Sequence, residues 1–323
     1  MYRFRKTTAV YALLGASLLV SCTSALPKAG PIAPGDYVRR TDERLAGFRR
    51  SYRVHVPPEL AADATLPIVL VLHGAYSTGR GIERRSGFSR LADDAGFIAV
   101  YPEGYGFFGW FRHWNAGHCC AKARELGVDD VGFLDRVMDD VERVLPVDVS
   151  RVYVVGESNG AMLAYLYAAE RSERIAAAAA VMGTIGSGPL GKHAIQTIPA
   201  PSRPVPMVII HGDADELIPY AGGSTARYPD IEWASVADAT AFWADNDRVA
   251  NLPSTEDLYG GRVVRSTWRG SSGAAEVVLY TIHGWPHRWP AAADQAEFDA
   301  ARAIWEFFER TPIRAPASDH VAQ

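Results

Sequence analysis

The segment Gly156-Glu157-Ser158-Asn159-Gly160 constrains the fold more than any other part of the chain. It follows a short β-branched run over 151–155 and opens an apolar, helix-forming stretch over 161–171. A strand that turns sharply into a helix leaves the residue at the turn on the surface, and small residues two before and two after it let the backbone fold back without collision. Gly156 and Gly160 occupy those two places. A strand feeding directly into a helix is also the repeating unit of a parallel α/β sheet.

The rest of the chain carries the same pattern. Apolar, β-rich runs at 67–72, 97–101, 175–181, 206–210 and 276–282 lack polar alternation, as expected of strands covered on both faces. Between them, Leu134, Val137, Met138, Val141, Val144 and Leu145 recur at helical spacing, as do Phe298, Ala301, Ile304, Trp305 and Phe308. Tyr52, Val54 and Val56 alternate with polar residues, which predicts an edge strand. The expectation is one α/β domain over 50–312, a mostly parallel doubly wound sheet flanked by helices, with a frayed tail over 313–323.

The N-terminus follows a different logic. Arg3, Arg5 and Lys6 precede an apolar run over 9–20 that is too short to span a bilayer, the layout of an export signal. Its end, Leu19-Val20-Ser21-Cys22, is similar to a bacterial lipobox, which predicts removal of residues 1–21 and lipidation of Cys22. Ordinary secretion, with cleavage between Ser21 and Ala25, is the competing reading. Residues 22–49, with Pro27, Pro31 and Pro34, are then a tether between membrane and domain. Loss of the basic segment takes the formal net charge from −4 to −7, which argues against nucleic acid as a partner.

Ser158 at such a turn is a candidate nucleophile, and the N–H of Asn159 at the helix N-terminus is a candidate oxyanion donor. A nucleophilic serine needs a base, and the base needs an orienting acid, in the chain order Ser, Asp, His for this turn type. The segment 211–215, His-Gly-Asp-Ala-Asp, follows a strand and offers Asp215, with Asp213 as its rival. The loop 283–290 follows the last strand and offers His287, with His283 as its rival at the strand end. The second oxyanion donor is expected from the loop after 67–72, where Ala75 N–H is the first choice and Tyr76 the reserve, with His73 shaping the loop. This chemistry calls for no metal and no organic cofactor.

Tyr105, Phe107, Phe108, Trp110, Phe111 and Trp114 place six aromatics within ten residues. The stretch is either a platform for substrate or a loop held by its own side chains. Tyr76, Trp110, Trp114 and Trp289 are the candidates for substrate contact. Asp129 and Asp130 are expected to cap the helix that follows them. With Cys22 lipidated, Cys119 and Cys120 form an adjacent pair in an oxidising compartment, either bridged or packed as thiols. Two neighbouring cysteines poorly suit one tetrahedral ion, so no metal is assigned to them or to His113 and His118.

The segments LVLHG, GESNGAM, HGDADELIPY and PHRWP, in this order, resemble the secreted poly(3-hydroxybutyrate) depolymerase and feruloyl or acetyl-xylan esterase group of α/β-hydrolases, and WNAGHCCAKARELGVDDVGFL is similar to a further stretch of that group. The resemblance spans about residues 50–312. It implies an α/β-hydrolase fold, Ser158 as nucleophile, Asp215 as acid and His287 as base, acting on polyhydroxyalkanoate, feruloyl or acetyl-polysaccharide esters. Glu157 stands where the group usually has an apolar residue, Ala75 where a cysteine is frequent, and Trp285-Pro286 where glycines precede the histidine. The expected protein is an exported serine esterase, lipid-anchored to the cell envelope or secreted, whose partners are an ester substrate and the membrane. An acyltransferase with the same triad and a polymer-binding lipoprotein without turnover are the alternatives.

Overall fold

The computed structural model describes residues 33–45, 48–58, 64–107, 110–191, 195–249, 252–270, 276–292 and 298–311. The segment expected to be an export signal, Cys22 and the tail over 313–323 lie outside the described residues. Ten strands form one sheet: β1 (Gly35–Leu45), β2 (Phe48–Val56), β3 (Leu66–Leu72), β4 (Ile98–Pro102), β5 (Val147–Glu157), β6 (Ala177–Val181), β7 (Met207–Gly212), β8 (Ser254–Leu258), β9 (Val263–Arg269) and β10 (Glu276–Ile282). Their spatial order is β1-β2-β4-β3-β5-β6-β7-β10-β9-β8. The centre, from β4 through β10, is parallel, and an antiparallel pair closes each end.

β3 shows why the central strands lack alternation. Every residue in it is buried, but Ile68, Leu70 and Leu72 join one core while Val69 and Val71 join the other. Each face of the sheet therefore needs its own helices. Residues of Asp130–Val144, Asn159–Glu170 and Val236–Asp247 fill the first core, and residues of Gly79–Ser86, Phe88–Ala95 and Ala300–Phe308 fill the second. Asp129 caps the helix Asp130–Val144 by accepting from Gly132 N–H at 2.8 Å. Asp130 instead is buried, receiving Arg50 at 2.5 Å and the N–H of Asn115 at 2.7 Å.

One boundary is corrected. Residues 35–45 and 48–49 are not tether: β1 pairs antiparallel with β2, with Tyr37 opposite Val54 and Arg39 opposite Tyr52. The charged composition of β1 hides a strand whose inward contribution rests on few groups. Tyr37 is buried, and Arg39 donates to Asp140 at 2.6 and 2.9 Å.

The parallel register aligns the carboxyl ends of the strands. Leu72 faces Gly156, Glu157 faces Val181, and Gly212 faces Ile282. The loops beyond these ends carry Ala75, Ser158, Asp215 and His287, the side of an open α/β sheet where ligand sites form.

Candidate active site

Ser158 follows β5 and precedes the helix Asn159–Glu170 with φ 55° and ψ −119°, a backbone conformation that L-residues rarely hold. The two glycines of the turn are required sterically. A Cβ on Gly156 would sit 2.1 Å from Gly160 O, and one on Gly160 would sit 2.5 Å from both Leu72 O and His73 O. Ser158 N–H donates to Val181 O at 2.9 Å, locking the turn to the neighbouring strand.

His287 joins this serine to Asp215. Its Nε2 lies 2.9 Å from Ser158 Oγ and its Nδ1 lies 2.7 Å from Asp215 Oδ2. A carboxylate facing Nδ1 fixes the hydrogen there, which leaves the Nε2 lone pair for the serine hydroxyl. The side chain of Asp215 is fully enclosed. Burial alone would raise its pKa, but hydrogen bonds from His211 and His287, the charge of His287 and the N–H of Ile218 outweigh it and hold the carboxyl well below its usual range. Oδ1 accepts the N–H groups of Leu217 and Ile218 at 2.8 and 2.9 Å. Asp215 is thus an ionised group with a fixed orientation.

The rivals pair with each other elsewhere. Asp213 accepts from His283 Nδ1 at 2.7 Å and from Gly284 N–H at 2.6 Å, on an exposed part of the same loops. Sequence reasoning missed His211, whose buried Nε2 faces Ile218 O at 2.9 Å and Asp215 Oδ2 at 3.2 Å. With two acceptors before it, that nitrogen carries the hydrogen and supports the carboxylate from behind. Its position four residues before Asp215, at the end of a strand, was the available signal.

The candidate oxyanion donors flank the serine. Asn159 supplies the first N–H of its helix, which has no helical acceptor. Tyr76 N–H is already committed to Arg112 O at 2.7 Å. Ala75 N–H has no internal partner among the described residues. His73 shapes this loop: Nδ1 lies 2.8 Å from Gly74 O, and Nε2 accepts from Gly104 N–H at 3.0 Å. Burial brings its pKa down to about 3, so it stays neutral. The side chain of Asn159 also has a function unforeseen from sequence. Its Oδ1 accepts Trp114 N–H at 2.7 Å and its Nδ2 donates to Trp114 O at 3.1 Å, gripping both backbone groups of one residue.

A cavity of about 560 Å³ opens on Ser158 and is lined by Tyr76, Met162, Ile218, Tyr228 and Trp233 among others. Cys119 and Cys120, joined by a disulfide across a cis peptide bond, form part of its wall. Of the four residues expected to contact substrate, Tyr76 lines the cavity, is 67% exposed and meets Phe111 edge-on at 6.0 Å. The side chain of Trp110 lies outside what the structure describes. Two expectations are corrected. Trp114 is fully buried, with its ring 4.8 Å from His73 and its Nε1 donating to His73 O at 2.8 Å. Trp289 is buried in the second core, edge-on to Phe88 at 6.3 Å. Both were large apolar groups near the motifs in sequence, and burial in the core satisfied them first. Trp289 and the buried Trp285, whose Nε1 donates to Arg288 O at 2.8 Å, pin the loop that presents His287.

Comparison with known proteins agrees with this architecture. A family model described as esterase, PHB depolymerase matches residues 50–222. The chain is 32% identical over 260 residues to the putative esterase NocK of Nocardia uniformis subsp. tsuyamanensis, covering 76% of this chain and 72% of that protein. It is 26% identical over 281 residues to the bifunctional acetylxylan esterase/xylanase XynS20E of Neocallimastix patriciarum, covering 85% of this chain but only 35% of that longer protein. Among solved structures, an acetyl xylan esterase from Aspergillus awamori matches with a TM-score of 0.55 at 19% identity, covering 80% of this chain and 94% of that one, a likeness of fold.

Proposed function

Because this chain belongs to the esterase PHB depolymerase family and is a carboxylic ester hydrolase of the α/β-hydrolase fold, we propose that it works through a Ser158-His287-Asp215 triad and an acyl-enzyme. The observation that carries this reading is the unbroken line from Asp215 Oδ2 through His287 to Ser158 Oγ, 2.7 and 2.9 Å long in its two steps, ending on a serine that lines the cavity.

In this reading Ser158 Oγ attacks the ester carbonyl carbon while its proton passes to His287 Nε2. The resulting imidazolium is stabilised by ionised Asp215, and the oxyanion is met by the N–H groups of Ala75 and Asn159. His287 returns the proton to the leaving alkoxide, giving free alcohol and an acyl ester on Ser158. Water, deprotonated by the same nitrogen, attacks that ester and releases the acid. A largely apolar cavity wall with Tyr76 at its rim suits polyhydroxyalkanoate, feruloyl or acetyl-polysaccharide esters. We further assign the enzyme to the cell envelope, exported and anchored through lipidated Cys22.

A fluorophosphonate probe tests the triad. It should label the wild-type protein on Ser158 and leave Ser158→Ala unlabelled and inactive on p-nitrophenyl esters. Labelling at another residue, or turnover retained by Ser158→Ala, overturns the assignment.

A further inference from the structure

Glu157 precedes Ser158 and closes β5, yet it is a carboxylate only 8% exposed beside the point where negative charge would develop. Such a group is costly there unless something neutralises and uses it. Arg85, from the helix Gly79–Ser86, does so: its Nη2 donates to Glu157 Oε2 at 2.5 Å. The same nitrogen donates to Ser77 Oγ at 3.0 Å. The N–H of Gly74 faces the same Oε2 at 3.4 Å. One carboxylate oxygen therefore holds both ends of the turn from Gly74 to Ser77, directly at the first and through Arg85 at the second. That turn is closed by Ser77 N–H donating to Gly74 O at 3.3 Å, and it contains Ala75.

We infer that Glu157, with Arg85, is a positioning residue that clamps the Gly74–Ser77 turn to the serine turn and so sets the Ala75 N–H against the oxyanion. This rests on the triad and oxyanion reading above. The sequence makes the arrangement economical. Glu157 is covalently adjacent to Ser158, so holding the turn through its carboxylate fixes donor and nucleophile in one frame. Asn159, on the other side of the serine, grips Trp114, whose indole holds His73 O at the root of the same loop.

A misplaced oxyanion donor costs turnover more than ground-state binding. Glu157→Ala and Arg85→Met should each lower kcat for p-nitrophenyl acetate by about ten- to a hundred-fold, with KM within about threefold. Glu157→Gln keeps an acceptor for Gly74 and Arg85 and should recover most of the loss. The double variant Glu157→Ala/Arg85→Met should be no worse than Glu157→Ala alone, because both act through one clamp. Affinity for butylboronic acid, whose adduct with Ser158 is tetrahedral, should fall with kcat/KM, while inhibition by acetate stays unchanged. Arg85 is 43% exposed at its side chain, so Arg85→Met and Glu157→Gln keep the test open should Glu157→Ala fold poorly. Wild-type kcat in Glu157→Ala or Arg85→Met, additive losses, absence of rescue by Gln, or unchanged boronate affinity would each overturn the inference. A wild-type protein that neither hydrolyses the ester nor takes the fluorophosphonate label would instead overturn the esterase mechanism itself.

Discussion

Asp213 and Asp215 stand two residues apart on one turn and hold different histidines: Asp213 binds His283 Nδ1 at 2.7 Å, and Asp215 binds His287 Nδ1 at the same distance. Only the second pair continues to Ser158. The side chain of Asp215 is fully enclosed, whereas that of Asp213 is 35% exposed and screened by solvent.

Asp215→Asn should therefore lower kcat by about three to four orders of magnitude, since an amide no longer enforces the Nδ1–H form or stabilises the imidazolium. Asp213→Asn should stay within about threefold of wild type. Steady-state kinetics on a p-nitrophenyl ester decides it, and a reversed ranking would reassign the acid.

Ser158 holds its positive φ against the preference of an L-residue, at a cost of about 1–3 kcal/mol. Ser158→Gly should accordingly raise unfolding stability by about 1 kcal/mol after the extra chain entropy of glycine is subtracted, while abolishing turnover. Denaturant midpoints of Ser158→Gly and Ser158→Ala measure the difference. Equal midpoints would show that the surrounding turn carries no strain.

The aromatic residues should separate into two groups. Trp289→Ala removes a buried core side chain and should cost about 3–5 kcal/mol of stability. Tyr76→Ala, at an exposed rim position, should leave the melting temperature unchanged and raise KM for bulky esters more than for acetate. A Tyr76→Ala variant with equal losses on both substrates would remove Tyr76 from substrate selection.

His55 ties β2 to its surroundings, with Nδ1 2.7 Å from Asp36 and Nε2 2.8 Å from Asp93. Burial lowers its pKa, but the hydrogen bonds and charges of the two carboxylates prevail and raise it above 6.5. The sign follows: the stabilisation is complete below the unfolded-state pKa near 6.5 and fades as pH rises through the higher folded-state value. Asp36 is shifted downward, first by its hydrogen bond to His55, so its share is lost only on strong acidification. The stability gap between wild type and His55→Gln should thus be widest at about pH 5–6 and shrink above neutrality. A gap that is flat across this range would exclude the ion pairs.

Cys22→Ser should move the protein from the membrane fraction to the soluble one, because the acyl chains on that residue are the proposed anchor. Fractionation with mass spectrometry of the N-terminus measures this. A wild-type N-terminus that is unmodified and begins after Cys22 would replace anchoring by secretion.

The meeting of Ser158, Asp215 and His287, the proposed triad, was legible because each follows a buried strand whose apolar run is unmistakable, and because the steric demand of the serine turn writes two glycines into the sequence. His211, the side chain of Asn159 and the Glu157–Arg85 pair were not. His211 left only its place four residues before Asp215 at a strand end, while the other two act through a partner distant in sequence or through backbone atoms, which leave no spacing to read. Trp114 and Trp289 misled for the opposite reason: a tryptophan near a motif looks the same whether it faces a cavity or a core. β1 was hidden because an edge strand with one covered face tolerates charge at most of its positions.

That tolerance has a consequence for how the molecule meets its own kind. The sheet ends in β1 on one side and β8 on the other. β1 carries Arg40 and Asp42 on its accessible positions, and four of the five residues of β8, Glu256 and Asp257 among them, are exposed. A neighbour adding a strand at either end would have to strip water from these charges before gaining a single ladder bond. Many copies can therefore crowd edge to edge without their sheets fusing.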